Sequence, residues 1–199
     1  MKRRFWLLGL GTVLLALATA LFISFVRPDT TITSMYGPPP ELGAGKSARE
    51  AYQALQPWMQ QWAPDTQLVA ISASRLKTEA ESGGWSFQAY SAAQGKLAIV
   101  LVQPDKIWVL REKNALYKQS TIDVDAWQMD SEQVLNRWWK TRGASLWAYN
   151  VAHSLYMHLG ERQDGALVWQ INVLSTEGEL LESWDVDAQT GEALSGGIP

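Results

Sequence analysis

Two stretches of the chain repeat one pattern: WSFQAYSAAQGKLAIVLV at residues 85–102 and WQINVLSTEGELLESWDV at residues 169–186. Each begins with a tryptophan on an alternating apolar strand, passes through a polar turn that ends in glycine, and resumes as a second apolar strand. A helix-start signature lies upstream of each, at residues 47–50 and 130–133. This period of about 83 residues predicts an α+β protein of two similar tandem units.

Each unit is expected to be a helix packed on a small antiparallel sheet, the first over residues 47–127 and the second over 128–199. Ser47 and Asp130 are expected to N-cap the two helices, and Gly143 is expected to end the second. Alternating or continuous apolar residues predict strands at 67–73, 85–91, 96–103, 106–111, 151–159, 167–173, 180–187 and 192–194.

The N-terminus carries a separate signal. Residues 6–26 form an apolar run of 21 residues, which as a helix is roughly 31 Å long and matches the hydrocarbon core of a bilayer. The basic cluster within residues 1–5 predicts a cytoplasmic end, a single-pass helix in the cell membrane and an extracytoplasmic bulk. A cleaved signal peptide is the alternative, because Ala-Thr-Ala at residues 18–20 resembles a cleavage site.

Residues 27–46 hold four prolines and three glycines, so they predict an extended linker without regular elements. Beyond residue 26 the chain has 14 basic and 20 acidic residues. This acidic balance argues against nucleic acid and against an anionic membrane surface as partners.

The absence of cysteine excludes disulfides, thiolate zinc sites and acylation of a lipoprotein cysteine.

Groups that could carry out catalysis are scarce. His153 and His158 are five residues apart, which places them on opposite faces of a strand. No nucleophile elbow, phosphate-binding glycine loop or His-Glu-x-x-His motif is present. The sequence therefore predicts no catalytic residues, no metal ligands and no cofactor.

The segment 167–194 has a tryptophan strand, a polar turn, a strand ending in Asp185-Val-Asp187, and then Ala-Gln-Thr-Gly191. This resembles the closing part of a PepSY-type domain. Tandem PepSY-like units behind one membrane helix are similar to the TseB-like proteins of the bacterial envelope. The resemblance implies a helix on a small antiparallel sheet, an extracytoplasmic location, no catalysis, and modulation of peptidases or envelope enzymes.

The turn at Asp187 also has a physical interpretation of its own. An aspartate at this position can accept hydrogen bonds from backbone amides two residues on, and Gly191 can take positive φ where the turn ends. Both residues are therefore predicted to be structural. A cation held by Asp185 and Asp187 is the alternative, but two carboxylates fall short of the six to eight oxygens that calcium takes.

The chain has 11 tryptophans, and most are predicted to fill a core. Trp139 and Trp147 are the best candidates for an exposed patch that binds a partner. The chain is accordingly predicted to be a membrane-anchored, non-enzymatic module that contacts another envelope protein, a peptidase or a cell-wall enzyme, through a sheet face or edge. The alternatives are a glycan- or peptidoglycan-binding module that uses exposed tryptophans, and a structural subunit of a membrane complex.

Overall fold

A computed structural model describes residues 37–78, 83–148 and 152–197, with side chains to residue 194. They belong to one compact unit, Tyr36–Pro199. The predicted cytoplasmic end and membrane helix, residues 1–26, lie outside the described residues. Among the residues that are described, no helix has the length and apolar character needed to span a bilayer.

The described ranges contain three α-helices and eight strands. The helices are α1 (Ala48–Trp62), α2 (Ser131–Trp138) and α3 (Ala144–Ala148). A π-helical turn, Trp139–Gly143, joins α2 to α3. The strands are β1 (Gln67–Leu76), β2 (Trp85–Ser91), β3 (Lys96–Val102), β4 (Ile107–Asn114), β5 (Ser154–Glu161), β6 (Leu167–Leu174), β7 (Leu180–Asp187) and β8 (Ala193–Gly197).

All eight strands form one antiparallel sheet in the order β4-β3-β2-β1-β5-β6-β7-β8. β1 pairs with β5 from Ala70 opposite Gly160 to Leu76 opposite Ser154, so two four-stranded meanders join at the centre of the sheet. The prediction of two tandem helix-on-sheet units was therefore wrong. The protein is mainly β, because β1 and β5 both bury their apolar faces in the same layer instead of each closing a separate sheet.

A single core explains why no boundary falls at residues 127 and 128. The buried rings of Trp85 and Trp127 both contact Trp169 edge-on, with ring centroids 6.1 Å apart in each pair. The indole N–H groups of Trp127 and Trp169 both donate to the Met129 carbonyl oxygen, each at 2.8 Å. Because aromatic side chains from both meanders pack together here, the two halves share their largest hydrophobic contacts.

The predicted helix starts are confirmed. The Ser47 hydroxyl accepts from the Glu50 backbone N–H at 3.2 Å, and the Glu50 carboxylate accepts from the Ser47 N–H at 2.9 Å. Asp130 and Gln133 form the same reciprocal capping box at the start of α2. Each pair satisfies backbone donors that the first helical turn leaves without partners.

The start of α2 also caps α1. The backbone N–H of Ala48 donates to the Ser131 hydroxyl at 2.9 Å, and that of Arg49 donates to the Asp130 carboxylate at 3.2 Å. The two helix N-termini therefore lie against each other and share their capping groups. This contact fixes the helices as one layer over one face of the sheet.

Gly143 does not end the second helical segment, which continues through the π-helical turn into α3. A Cβ atom at Gly143 would lie 2.5 Å from the Trp138 ring. The glycine thus allows a buried indole to pack against the backbone, and it is not a helix stop at this position.

The end of the predicted linker is part of the folded unit. Leu42 is buried in the core cluster, and a 3-10 turn forms at Gly43–Gly45. The Trp85 indole N–H donates to the Lys46 carbonyl oxygen at 2.7 Å. The expectation that residues 27–46 lack regular elements is corrected for residues 37–46, because Leu42 supplies an apolar anchor within the Pro/Gly-rich run.

Candidate docking edge

Trp139, one of the two predicted partner-binding residues, is only 2% exposed. Its indole N–H donates to the Gly37 carbonyl oxygen at 2.9 Å, so the chain before α1 covers it. The prediction that Trp139 is exposed was therefore wrong. Trp147 is half-buried against the core, and the Lys77 ammonium lies 5.6 Å from its ring centroid. Trp139 is thus buried, whereas Trp147 is only partly covered. Partner binding by Trp147 stays a prediction.

Asp187 and Gly191 form the turn between β7 and β8. One oxygen of the Asp187 carboxylate accepts the backbone N–H groups of Gln189 at 2.8 Å and Thr190 at 2.7 Å. The Thr190 N–H is the main reason that the pKa of Asp187 lies below its ordinary value of 3.8. Gly191 has φ 75°, a conformation that favours glycine. Both residues therefore have a structural role in the turn.

Asp185 accepts a hydrogen bond from the Gln170 amide at 3.1 Å. Within the described residues, no group of three or more His, Asp or Glu side chains could hold a metal ion.

His158 lies in β5 and stacks on Tyr156, with ring centroids 6.2 Å apart. Burial lowers the pKa of His158, which favours the neutral ring.

Glu182 is a buried acid that the sequence analysis did not identify. Its side chain is 1% exposed and lies 3.7 Å from the Arg142 guanidinium, measured from Oε1 to Nε. Burial raises the pKa of its carboxyl. In the described part of the chain, no hydrogen bond of normal geometry satisfies its oxygens or the Trp138 indole N–H. Side chains alternate along β7, so Glu182 lies on the same face of the strand as the buried Val186. The inward position of Glu182 could therefore have been predicted from the sequence.

The most unusual surface is the sheet edge formed by β4. All eight residues of this strand are exposed, including the consecutive apolar residues 107–110, among which Leu110 is 58% exposed. Just beyond the strand, Leu116 is 92% exposed and Tyr117 is 73% exposed. We name β4 together with Leu116 and Tyr117 the β4 edge. The sequence pattern predicts a strand here, whereas its position at the edge follows only from the pairing order of the strands.

The position of β4 follows from the limited reach of the helical layer. α1 packs on β2 and β3, whose inward residues are buried, whereas β4 lies one strand further out. Its contact with α1 is at the helix end, where the Trp62 indole N–H donates to Glu112 at 3.1 Å. Residues that alternate into a core elsewhere in the sheet therefore meet solvent on both faces of β4.

A β-bulge shapes the same strand. The register steps from Ile99 opposite Arg111 to Val100 opposite Val109, which leaves Leu110 as an extra residue on β4. Bulges commonly lie at sheet edges, where they redirect side chains. Leu110 thus extends from the strand without a partner residue on β3.

No protein-family model and no curated protein matches this chain. The chain is similar to a crystal structure from Clostridium difficile 630 that was solved under the name "putative lipoprotein", with a TM-score of 0.45 and 11% sequence identity. The alignment covers 74% of this chain and 92% of that chain. At this level of similarity nothing is transferred from that protein. The resemblance to PepSY-type domains therefore rests on the sequence, where it spans about residues 47–194 and is specific only in residues 167–194.

Proposed function

We propose that the chain is a non-enzymatic binding module of the bacterial envelope, which contacts another envelope protein through the β4 edge. The observation that carries the proposal is an eight-residue edge strand that presents Ile107, Trp108, Val109 and Leu110 to solvent together. Proteins normally protect such an edge, because its unpaired backbone groups and apolar side chains promote pairing with another chain.

The physical mechanism is β-strand addition. An extended segment of a partner pairs with the free backbone groups of an edge strand, and alternate side chains set the specificity. Leu116 and Tyr117 add exposed apolar surface at the end of β4. Contiguous apolar patches of this kind on a folded domain indicate an interaction site.

The envelope location is part of the proposal. It is supported by the apolar run at residues 6–26 with its basic cluster, and by the PepSY-like closing hairpin at residues 167–194. In this arrangement the membrane helix anchors the module, and the β4 edge contacts a peptidase or a cell-wall enzyme.

One observation favours a second candidate, a glycan-binding module. Trp108 and Tyr117 are both exposed, and exposed aromatic rings can stack on sugar rings. This function predicts a change in Trp108 fluorescence when soluble peptidoglycan fragments are added, and it predicts that Trp108→Thr removes the response. Partner binding through the backbone of β4 predicts no response to those fragments.

Site-specific photo-crosslinking in cells tests the proposed function. The photoreactive residue replaces Leu110 on β4, and a matched probe replaces Leu194, a 43% exposed leucine on the opposite edge strand, β8. A third probe at Tyr156 samples the open sheet face. We expect one envelope protein to be captured at Leu110, and to bind the purified chain, with no capture at Leu194 or Tyr156. Equal capture at all three positions, or none at Leu110, contradicts the proposal.

A further inference from the structure

We infer that the β4 edge selects an extended partner segment in which apolar and acidic residues alternate, and that this segment adds to β4 as a new edge strand. The inference rests on the proposed function and specifies the chemistry of the partner. It follows from the two faces of β4, which differ in charge.

The face of β4 on the helical side is apolar at one end. Val109 lies opposite Val100, and Ile107 lies opposite Val102. Val100 and Val102 are both buried in the core cluster beneath the helices. Ile107 and Val109 therefore continue the core face of the sheet outward to the edge, where apolar residues of an added strand would cover them.

Glu112 lies on the same face, opposite the buried Ala98. Its charge is already balanced, because its carboxylate contacts the Lys96 ammonium at 2.5 Å and accepts from the Trp62 indole N–H. The Lys96 contact is the main reason that the pKa of Glu112 is lowered. This face therefore presents apolar side chains and no unbalanced acid to an incoming strand.

The open face of β4 is cationic. Trp108 lies opposite Leu101, Arg111 opposite Ile99, and Lys113 follows two residues on. Arg111 and Lys113 are exposed, and neither makes an ion pair with any residue that the structure describes. Two free cations at this spacing would lie beside successive same-face residues of an added strand.

The β4 region is also a basic island in an acidic chain. Residues 105–118 contain four basic and two acidic side chains, whereas the other residues of 37–199 contain nine basic and seventeen acidic ones. An acidic segment is therefore attracted to β4 and repelled by much of the remaining surface. A partner strand that complements both faces of β4 has acidic residues beside Arg111 and Lys113 on one face. On its other face it has apolar residues beside Val109 and Ile107.

A second copy of this chain fits the edge less well. Pairing of β4 with another β4 in one continuous sheet brings Arg111 and Lys113 of both copies onto the same face. Like charges opposite each other destabilise a strand pair, and cations on an edge strand are a common protection against self-pairing. The charge pattern thus favours a different, acidic partner.

The test compares two fluorescein-labelled peptides of eight residues, the length of β4. One alternates glutamate with valine, and the other alternates lysine with valine. Fluorescence anisotropy with the full chain is expected to show about tenfold tighter binding of the glutamate peptide. Added salt is expected to reduce this difference, because the pairs are exposed to solvent.

A charge-reversed variant, Arg111→Glu with Lys113→Glu, is expected to prefer the lysine peptide instead. The matched control, Lys140→Glu with Arg162→Glu, reverses two exposed cations outside β4 and is expected to keep the original preference. Circular dichroism of both variants checks that each remains folded.

Several results would overturn the inference: equal affinity for both peptides, no binding of either, or the same preference in the charge-reversed variant. Crosslinking of Leu110 to a second copy of the chain would assign the edge to self-association instead. If Leu110 captures an envelope protein but the peptides show no selectivity, the proposed function stands and this inference fails. If no probe captures a partner, the proposed function itself fails.

Discussion

Glu182 places a carboxyl group in the core beneath the π-helical turn, where Arg142 is the one charged side chain facing it from the described residues. Because burial raises its pKa above the ordinary 4.5, the folded state holds the proton to higher pH than the unfolded state does. The free energy of unfolding therefore falls as pH rises from about 4.5 through the folded-state pKa. We expect Glu182→Gln to remove this decrease in urea titrations across that range.

The matched control is Glu179→Gln, which changes an exposed glutamate near the start of β7 and is expected to leave the pH dependence as it is. Glu182→Met is expected to raise the free energy of unfolding at pH 7 by about 1 kcal/mol, since an apolar side chain of similar volume removes a buried, poorly paired carboxyl group. A destabilised Glu182→Met protein would show that the contact with Arg142 stabilises the fold.

Asp187 shows the opposite pH behaviour. Its folded-state pKa is lowered, first by the Thr190 N–H, so its contribution to stability is present above pH 3.8 and is lost as pH falls through the folded-state pKa. Because the carboxylate is close to solvent, we expect Asp187→Ala to cost only about 1 kcal/mol at pH 7. Chemical denaturation at pH 7 and at pH 3 should show a smaller cost at pH 3.

Gly143 provides a steric test of the core. Since a Cβ atom there would lie 2.5 Å from the Trp138 ring, Gly143→Ala is expected to lower the free energy of unfolding by about 2 kcal/mol. Gly83→Ala is the control, because a Cβ at Gly83 meets nothing within 4 Å. Equal stability of the two variants, measured by thermal unfolding, would contradict the packing described around α2.

Strand β4 is exposed along its whole length, so its apolar residues contribute little to the folded core. Replacing Trp108, Val109 and Leu110 together by threonine keeps β-propensity while removing the apolar surface. We expect the free energy of unfolding to change by less than about 1 kcal/mol, and capture of a partner by a probe at Leu116 to disappear.

The control for that variant is Val100→Thr on the neighbouring strand. Val100 is fully buried, so this change is expected to cost about 2 kcal/mol by placing a hydroxyl in the core. A triple-threonine variant that unfolds as readily as Val100→Thr would show that β4 serves folding more than binding.

Local chemistry allowed most elements to be predicted from the sequence. The capping boxes at Ser47 and Asp130 depend on residues three positions apart, and strands such as Trp85–Ser91 follow from alternation over a few residues. Strand order was not predictable in this way, because the pairing of β1 with β5 joins residues that are distant in the sequence, from Ala70 with Gly160 to Leu76 with Ser154. For the same reason, β4 could be predicted as a strand but not as an edge.

Side-chain exposure was predictable only in part. Trp85 and Trp169 repeat along the chain and are buried as expected. Trp139 was misassigned because its cover comes from Gly37, about a hundred residues earlier and outside any helical or strand pattern. Glu182 was overlooked because a single acid in an otherwise ordinary strand carries no motif, even though alternation places it inward.

For the whole folded unit, one sheet and one core predict cooperative unfolding. The indoles of Trp85, Trp127 and Trp169 pack together across both meanders, so neither half retains its main contacts when the other unfolds. We expect tryptophan fluorescence and far-ultraviolet circular dichroism to report one coincident urea transition. Two separate transitions would indicate independent halves and would restore the two-unit arrangement.

Amide hydrogen exchange of β4, with and without the captured envelope partner, tests docking at this edge most directly. In the free chain, the outward amides of Ile107–Asn114 should exchange rapidly, since no strand covers that side of β4 among the described residues. Partner binding should slow those amides by about tenfold or more, while β8, at the opposite edge, stays unchanged. Protection at β8 or on the helices, with β4 still exchanging rapidly, would contradict docking through the β4 edge.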